Sequence, residues 1–299
     1  MGVNTKTIKR RIKSVSSTKK ITKAMEMISA VKMRKAVANV LSTRSYANLA
    51  WQMLLDVAKK TNVRLHPLLA KKTVKKVGII LVTSNRGMAG GFSSKLLQET
   101  DKYIKKVKSE GSVEVEIILL GKRGRKIYNY FGHKVAAEYE KIDLTTKIEE
   151  ILPMAKVTIA EYVNGKYDRL CVAYTDFVSA IKQVPRVKQV LPLEKKDELL
   201  GGTTDETAQV VEQGIEFKFE PRPEKVLDML IPRLVEMQIY QAILESDAAE
   251  HSSRMMSMRN ASDAAEDIIR ELNYTFNKAR QSAITQEIAE ICGGAAALE

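Results

Sequence analysis

The sequence predicts an α/β fold in the middle of the chain, flanked by a long antiparallel α-helical coiled coil made from its two ends. Three observations carry this expectation. From Pro223 to about Ile291 there is no glycine and one internal proline, Pro232. Residues 1–65 contain no proline, and Gly2 is their only glycine. Between these ends, short apolar runs alternate with helical patterns, which indicates a mostly parallel sheet of Rossmann-like type.

In the C-terminal stretch Met258, Ser262, Ala265, Ile269, Leu272, Phe276, Ala279 and Ala283 recur in steps of four and three, the seam of a two-stranded coiled coil. Leu230, Leu234, Met237 and Leu244 are larger apolar positions upstream. At 1.5 Å per residue this helix would be roughly 100 Å long. It cannot bury its stripe alone and calls for a partner helix. The N-terminal stretch offers one. Apolar positions recur at Ile8, Ile12, Val15, Thr22, Met25 and Ile28, and after a stagger at Val40, Ala47, Ala50, Leu54 and Val57. This predicts a helix of roughly 80 Å that starts near Lys6 and stops between Asn62 and Pro67.

The middle runs from about 72 to 195. Strands are predicted at Val77–Thr83, Val113–Leu120 and Arg169–Thr175, and an edge strand within Ser179–Leu193, where Pro185 and Pro192 fall. Helices are predicted at Ser93–Lys108, Gly121–Phe131 and Leu144–Asn164, the last with a kink at Pro153. The sequence thus divides into 1–65 (long helix), 72–195 (α/β), 196–220 (loop and a short strand near Ile215–Phe219) and 221–299 (long helix), with Gly293-Gly294 ending the last.

Composition limits the function. The 299 residues are 44% hydrophobic and 28% charged, with a net charge of +13. Residues 1–60 hold 14 Lys and Arg against Glu26 and Asp56, whereas 220–299 hold 8 basic and 14 acidic residues. The two ends are electrostatically complementary. No membrane-span-like run and no signal peptide are legible. Two cysteines, Cys171 and Cys292, point to a reducing compartment.

No catalytic constellation emerges. Gly87-x-x-Gly90-Gly91 follows a strand but is neither GxGxxG nor GxxxxGK[ST], so a tight structural turn is expected and no nucleotide cofactor. His66, His133 and His251 are isolated, which predicts no metal site. The basic N-terminal helix lacks the interleaved aromatics of single-strand binders, and no nucleic acid is expected.

Several longer motifs carry a resemblance. Lys20-Ile-Thr-Lys-Ala-Met-Glu-Met-Ile28 with Val31-Lys-Met-Arg-Lys35 resembles the N-terminal signature of the gamma subunit of F-type ATP synthases. Asn277-Lys-Ala-Arg-Gln-Ser-Ala-Ile-Thr-Gln-Glu-Ile-Ala-Glu-Ile291 resembles that family's C-terminal signature. Ser84-Asn-Arg-Gly-Met-Ala-Gly-Gly-Phe92 resembles its glycine turn, with Asn85 where Asp is often seen. Glu236-Met-Gln-Ile-Tyr-Gln241 and Met255-Met-Ser-Met-Arg-Asn-Ala261 are similar as well.

The resemblance implies a non-catalytic central-stalk rotor. It would couple an ion-driven c-ring to ATP synthesis and hydrolysis in a head of three alpha and three beta subunits, with the epsilon subunit beside it. It implies that Arg280, Gln281, Thr285 and Glu287 meet the beta-subunit catch loop, and that Lys23 and Met25 face the beta-subunit lever. It implies a peripheral place on the cytoplasmic face of a bacterial cell membrane, reached only through the complex; the absence of a transit peptide favours a bacterial source. A coiled-coil adaptor for an acidic partner, nucleic acid or a membrane surface is the alternative reading of the residues alone.

Overall fold

The computed structural model describes residues 5–60, 67–70, 72–125, 134–141, 147–193 and 223–296. The elements in chain order are α1 (Thr5–Lys60), β1 (Lys76–Val82), α2 (Phe92–Glu110), β2 (Glu114–Leu120), β3 (Lys134–Tyr139), α3 (Ile148–Val163), β4 (Arg169–Phe177), β5 (Gln183–Leu191) and α4 (Pro223–Ala296). Two compact units result. One joins the start of α1 to α4 from Arg254 onward, and the other spans Ala30–Ser253.

In the larger unit the strands form one sheet in the order β3-β2-β1-β4-β5. All neighbours are parallel except β4 and β5, which are antiparallel. The continuous apolar run of β1 is buried on both sides, as a central parallel strand requires. Alternate residues feed two cores. Ile79, Leu81, Ile117 and Leu119 pack with Leu96, Leu97 and Ile104 of α2. Ile80, Val82, Ile118 and Leu120 pack with Ile151, Met154 and Ile159 of α3 and with Ile231, Val235, Ile239 and Ile243 of α4.

Two sequence expectations change, and several others fall partly or wholly outside the described residues. β3 was not foreseen: KVAAEY alternates exposed and half-buried positions at a sheet edge and never forms an apolar run. The helix predicted at Gly121–Phe131 is seen only over residues 122–125; the remainder, like the predicted strand near Ile215–Phe219, the loop at 194–214 and the helix stop between Asn62 and Pro67, lies outside the described residues. Gly293 and Gly294 do not end α4, which continues to Ala296; a Cβ on either would meet nothing within 4 Å. Pro153 and Pro232 both lie inside their helices, α3 and α4.

The α1 stripe also differs. The residues shielded from water follow an unbroken heptad through Ile8, Ile12, Val15, Lys19, Thr22, Glu26, Ser29, Met33, Ala36, Val40 and Thr43. Val40 and Ala50 keep this register with no stagger before them, and the side chains of Ala47, Leu54 and Val57 lie outside those described. Ile28, read as a seam position, is 57% exposed, and its neighbour Ser29 is buried instead. Polar residues at the shielded positions hid the period.

Candidate functional site

Parallel α/β sheets bind ligands where the strand order reverses, beyond the carboxyl ends of the strands. Here that point lies between β1 and β4, whose chain neighbours run off in opposite directions. The glycine turn, residues 84–91, covers it. Met88 at φ 62° and Gly90 at φ 54° give the turn its left-handed bends.

The crevice is filled by α4 itself. Ala249 packs with Ala89, Phe92 and Phe177, and the Ser253 hydroxyl donates to the Ala89 carbonyl at 3.0 Å. Every residue of α4 from Ile239 to Glu250 is buried, including Glu245, Ser246, Asp247 and Glu250. An apolar pattern cannot announce such a segment, because its acids are buried for the partners they meet.

The chief partner is Lys141, which follows β3 and is buried. Its Nζ pairs with Asp247 and with Glu250, the latter at 2.9 Å. Burial alone would lower the lysine's pKa, but the two carboxylates outweigh it and hold the ammonium above its ordinary range. Asn85 completes the arrangement. Its Nδ2 donates to the Lys141 carbonyl while its Oδ1 accepts from the Lys122 amide at 3.2 Å. A carboxylate at 85 could accept but not donate, so Asn85 suits a site with one group of each kind.

Further contacts ring the same stretch of α4. Thr43 of α1 bonds to Gln241 at 2.5 Å, and Gln241 donates to Glu245 at 3.2 Å. Burial and then the charge of Glu245 push the Tyr174 hydroxyl well above its usual pKa. Ser252 donates to the Ala180 carbonyl at 2.6 Å and accepts from Gln183 at 3.3 Å. The arrangement is a clamp between helix and sheet, and among the described residues it brings no nucleophile, base and oxyanion donor together.

In the smaller unit the residues read as seam divide by depth. Ile8, Met258, Ser262 and Ala265 are buried, Ile12, Val15, Ile269, Leu272, Phe276 and Ala279 are half-buried, and Ala283 is exposed. Lys19 reaches Glu266 across the pair at 3.2 Å. Met25 is half-buried and Lys23 is exposed, bonded to Glu26 at 3.0 Å. From Arg280 to Ala295 every residue of α4 is exposed, so Arg280, Gln281, Thr285 and Glu287 all face solvent. Thr285 donates back to the Gln281 carbonyl at 2.9 Å. Ile284, Ile288 and Ile291, spaced along one face, are 47%, 55% and 72% exposed.

The two cysteines differ sharply. Cys171 is buried beside the Tyr103 hydroxyl at 3.2 Å, and burial pushes its thiol up to about 11, whereas Cys292 is exposed. At pH 8 an alkylating reagent is expected to add once to the native chain, at Cys292, and twice after denaturation. Intact-protein mass spectrometry reads the count, and rapid labelling of native Cys171 would contradict this placement.

Among the described residues no helix is long and apolar enough to cross a membrane. None of their His, Cys, Asp and Glu side chains form a group that could hold a metal ion.

Comparison with known proteins agrees with the geometry. The ATP synthase family model matches residues 4–298. The ATP synthase gamma chain of Chloroflexus aurantiacus is 41% identical over 294 residues, covering 97% of this chain and 97% of that one. The gamma chain of Legionella pneumophila is 36% identical over 293 residues, 98% of this chain and 99% of that one. Among solved structures, a chain of the Euglena gracilis mitochondrial ATP synthase OSCP/F1/c-ring assembly shares the fold. Its TM-score is 0.66 at 16% identity, over 98% of this chain and 94% of that one. A chain of the Tetrahymena thermophila central stalk and c-ring matches at TM-score 0.57 and 20% identity, over 81% of this chain and 99% of that one. Matched along nearly its full length, this chain belongs to the ATP synthase gamma-chain family, the rotor of the central stalk.

Proposed function

We propose that the chain works as the shaft that carries torque between a c-ring and a head of three alpha and three beta subunits, without catalysing a reaction itself. The observation that carries this reading is the bare end of α4. A single helix with an exposed isoleucine stripe, Ile284, Ile288 and Ile291, is a poor structure in water and a good one inside a sleeve of other subunits. The crevice at the strand-order reversal of the α/β unit is taken up by Ala249 and its neighbours, which supports a mechanical role for that unit. The epsilon subunit beside the shaft, and a peripheral place on the cytoplasmic face of a bacterial membrane, belong to the same reading.

Within it, Arg280, Gln281, Thr285 and Glu287 grip the catch loop of a beta subunit, and Lys23 and Met25 face its lever. All four of the upper residues are exposed on the unaccompanied part of α4, as a grip requires. Charge-assisted hydrogen bonds are worth about 1.5–3 kcal/mol each. The double variant Arg280→Ala, Gln281→Ala is therefore expected to lower coupled ATP synthesis by about tenfold, a loss of roughly 1.4 kcal/mol, while the isolated chain melts unchanged. Synthesis at the unaltered rate would remove these residues from the grip.

The role as a whole is tested by mixing the chain with purified alpha and beta subunits and weighing the complex by native mass spectrometry. One copy per alpha-three beta-three assembly, with ATPase activity arising in the mixture alone, is the expected result. A free homodimer that ignores both subunits would overturn the shaft reading.

A further inference from the structure

The opposite edge of the sheet, at the amino ends of the strands, carries a separate open concavity of about 620 Å³. Lys76, Glu114 and Lys134 stand at the first positions of β1, β2 and β3, three adjacent parallel strands. Lys75 precedes β1, Lys108 lies in the last turn of α2, and Ser112 is in the turn that follows. These residues line the hollow and set four ammonium groups against the single carboxylate of Glu114.

The nearby acids reduce that excess without cancelling it, since Glu116 takes up the charge of Lys134 and Glu114 pairs weakly with Lys76. Glu116 already accepts from Lys134 at 2.5 Å and from the Tyr167 hydroxyl at 3.1 Å, with Lys166 at 3.9 Å. The bond from Lys134 is the main cause that holds its carboxyl below the usual range. Glu114 meets Lys76 only at 3.7 Å, with both side chains more than half exposed, a weak pair. Asp168 is engaged by the backbone amides of Lys75 and Lys76, at 2.9 Å each, and among the described residues no carboxylate pairs with the ammonium of Lys75 or of Lys108. Lysines scattered over a convex surface can move apart. Here they surround a common hollow whose volume falls in the range of small-ligand sites.

We propose that this hollow binds a polyanion of the oligophosphate class, its phosphate oxygens meeting Lys75, Lys76, Lys108 and Lys134, with the Ser112 hydroxyl as a further donor. Ammonium groups serve phosphate as mobile point charges, which suits a ligand with several equivalent oxygens. The binding is electrostatic and partly exposed, so it weakens as salt rises. It does not depend on the shaft reading, because no residue of α4 or of the glycine turn lines the hollow. The same chemistry is offered by a free oligophosphate and by anionic lipid headgroups, and the two sources are separable.

The test uses the full chain. Inorganic tripolyphosphate is titrated calorimetrically at moderate salt, and in a second arm the chain is co-sedimented with vesicles containing phosphatidylglycerol. The variant Lys75→Gln, Lys108→Gln is compared with Lys156→Gln, Lys182→Gln, which removes equal charge from exposed sites elsewhere on the same unit. Saturable binding of one tripolyphosphate, at least tenfold weaker in the first variant and unchanged in the second, is expected. Loss of vesicle binding alone in the first variant would assign the hollow to headgroups. Equal behaviour of the two variants with both probes, or no binding of either, would overturn the proposal.

Discussion

Replacing Lys141 by Met is expected to cost about 3–5 kcal/mol of stability, because it removes the buried ammonium that pairs with the buried carboxylates of Asp247 and Glu250. The methionine fills nearly the same space, so lost packing contributes little. Urea unfolding of the full chain reads the loss as a lower midpoint. The triple variant Lys141→Met, Asp247→Asn, Glu250→Gln removes the stranded charge and is expected to recover part of the stability. A single variant as stable as the parent would mean that water or another cation already compensates these acids. The pH dependence has a definite sign. The folded pKa of Lys141 is raised, so its contribution is fully present below the ordinary lysine pKa. It is lost only as pH rises through the higher folded value, and across the neutral range this group leaves stability flat.

Gly121→Ala is expected to be the most damaging one-methyl change in the α/β unit. Gly121 sits at φ 102°, and a Cβ there would lie 2.3 Å from the Thr83 carbonyl oxygen and 2.9 Å from its carbon. Backbone cannot swing aside as a flexible side chain can. Thr83 donates to the Leu120 carbonyl at 2.8 Å, and Gly121 donates to Tyr139 at 3.1 Å, so the carboxyl ends of β1, β2 and β3 meet at this residue. The Thr83 hydroxyl bonds to the Gly121 carbonyl at 2.9 Å and accepts from Gly124 at 3.1 Å. Strain in the left-handed region costs about 1–3 kcal/mol by itself; with the displaced backbone bonds the expected total is about 3 kcal/mol or more. Gly165→Ala provides the contrast. Gly165 also has a positive φ, 79°, but a Cβ there meets nothing within 4 Å, so only the conformational cost of about 1 kcal/mol applies. Thermal denaturation of the two variants side by side checks the ordering.

What the sequence disclosed follows from how each element is buried. β1, β2 and β4 are enclosed on both faces, so their apolar runs stood out and their observed bounds fall within two residues of the predicted ones. The α4 seam was visible because Met258, Ile269, Leu272 and Phe276 are large and regularly spaced. β3 was hidden because an edge strand with Ala136 and Ala137 at its centre has little apolar surface to bury. The α1 period was hidden because Lys19, Glu26 and Ser29 occupy shielded positions, where Lys19 reaches Glu266 and Glu26 accepts from Lys23. The clamp could not be read at all. Lys141 and Glu250 are 109 positions apart, and nothing local in Glu245-Ser-Asp-Ala-Ala-Glu250 distinguishes buried acids from a solvated helix face.

The contacts that ring α4 between Gln241 and Ser253 also act like the splines of a drive shaft. At about 100° per residue, Asp247 and Glu250 share the face that meets Lys141, Ser253 lies on the flank beside them, and Gln241 projects from another side of the helix. They meet Thr43, Lys141 and Ala89 on three different elements or loops. A greasy sleeve would let a helix spin within it at small cost, since apolar contact is non-directional. Hydrogen bonds and ion pairs are directional, so any turn of α4 about its own axis breaks several together. Slippage between the helix and the sheet is thereby opposed at every angle, and a twist applied to one is delivered to the other.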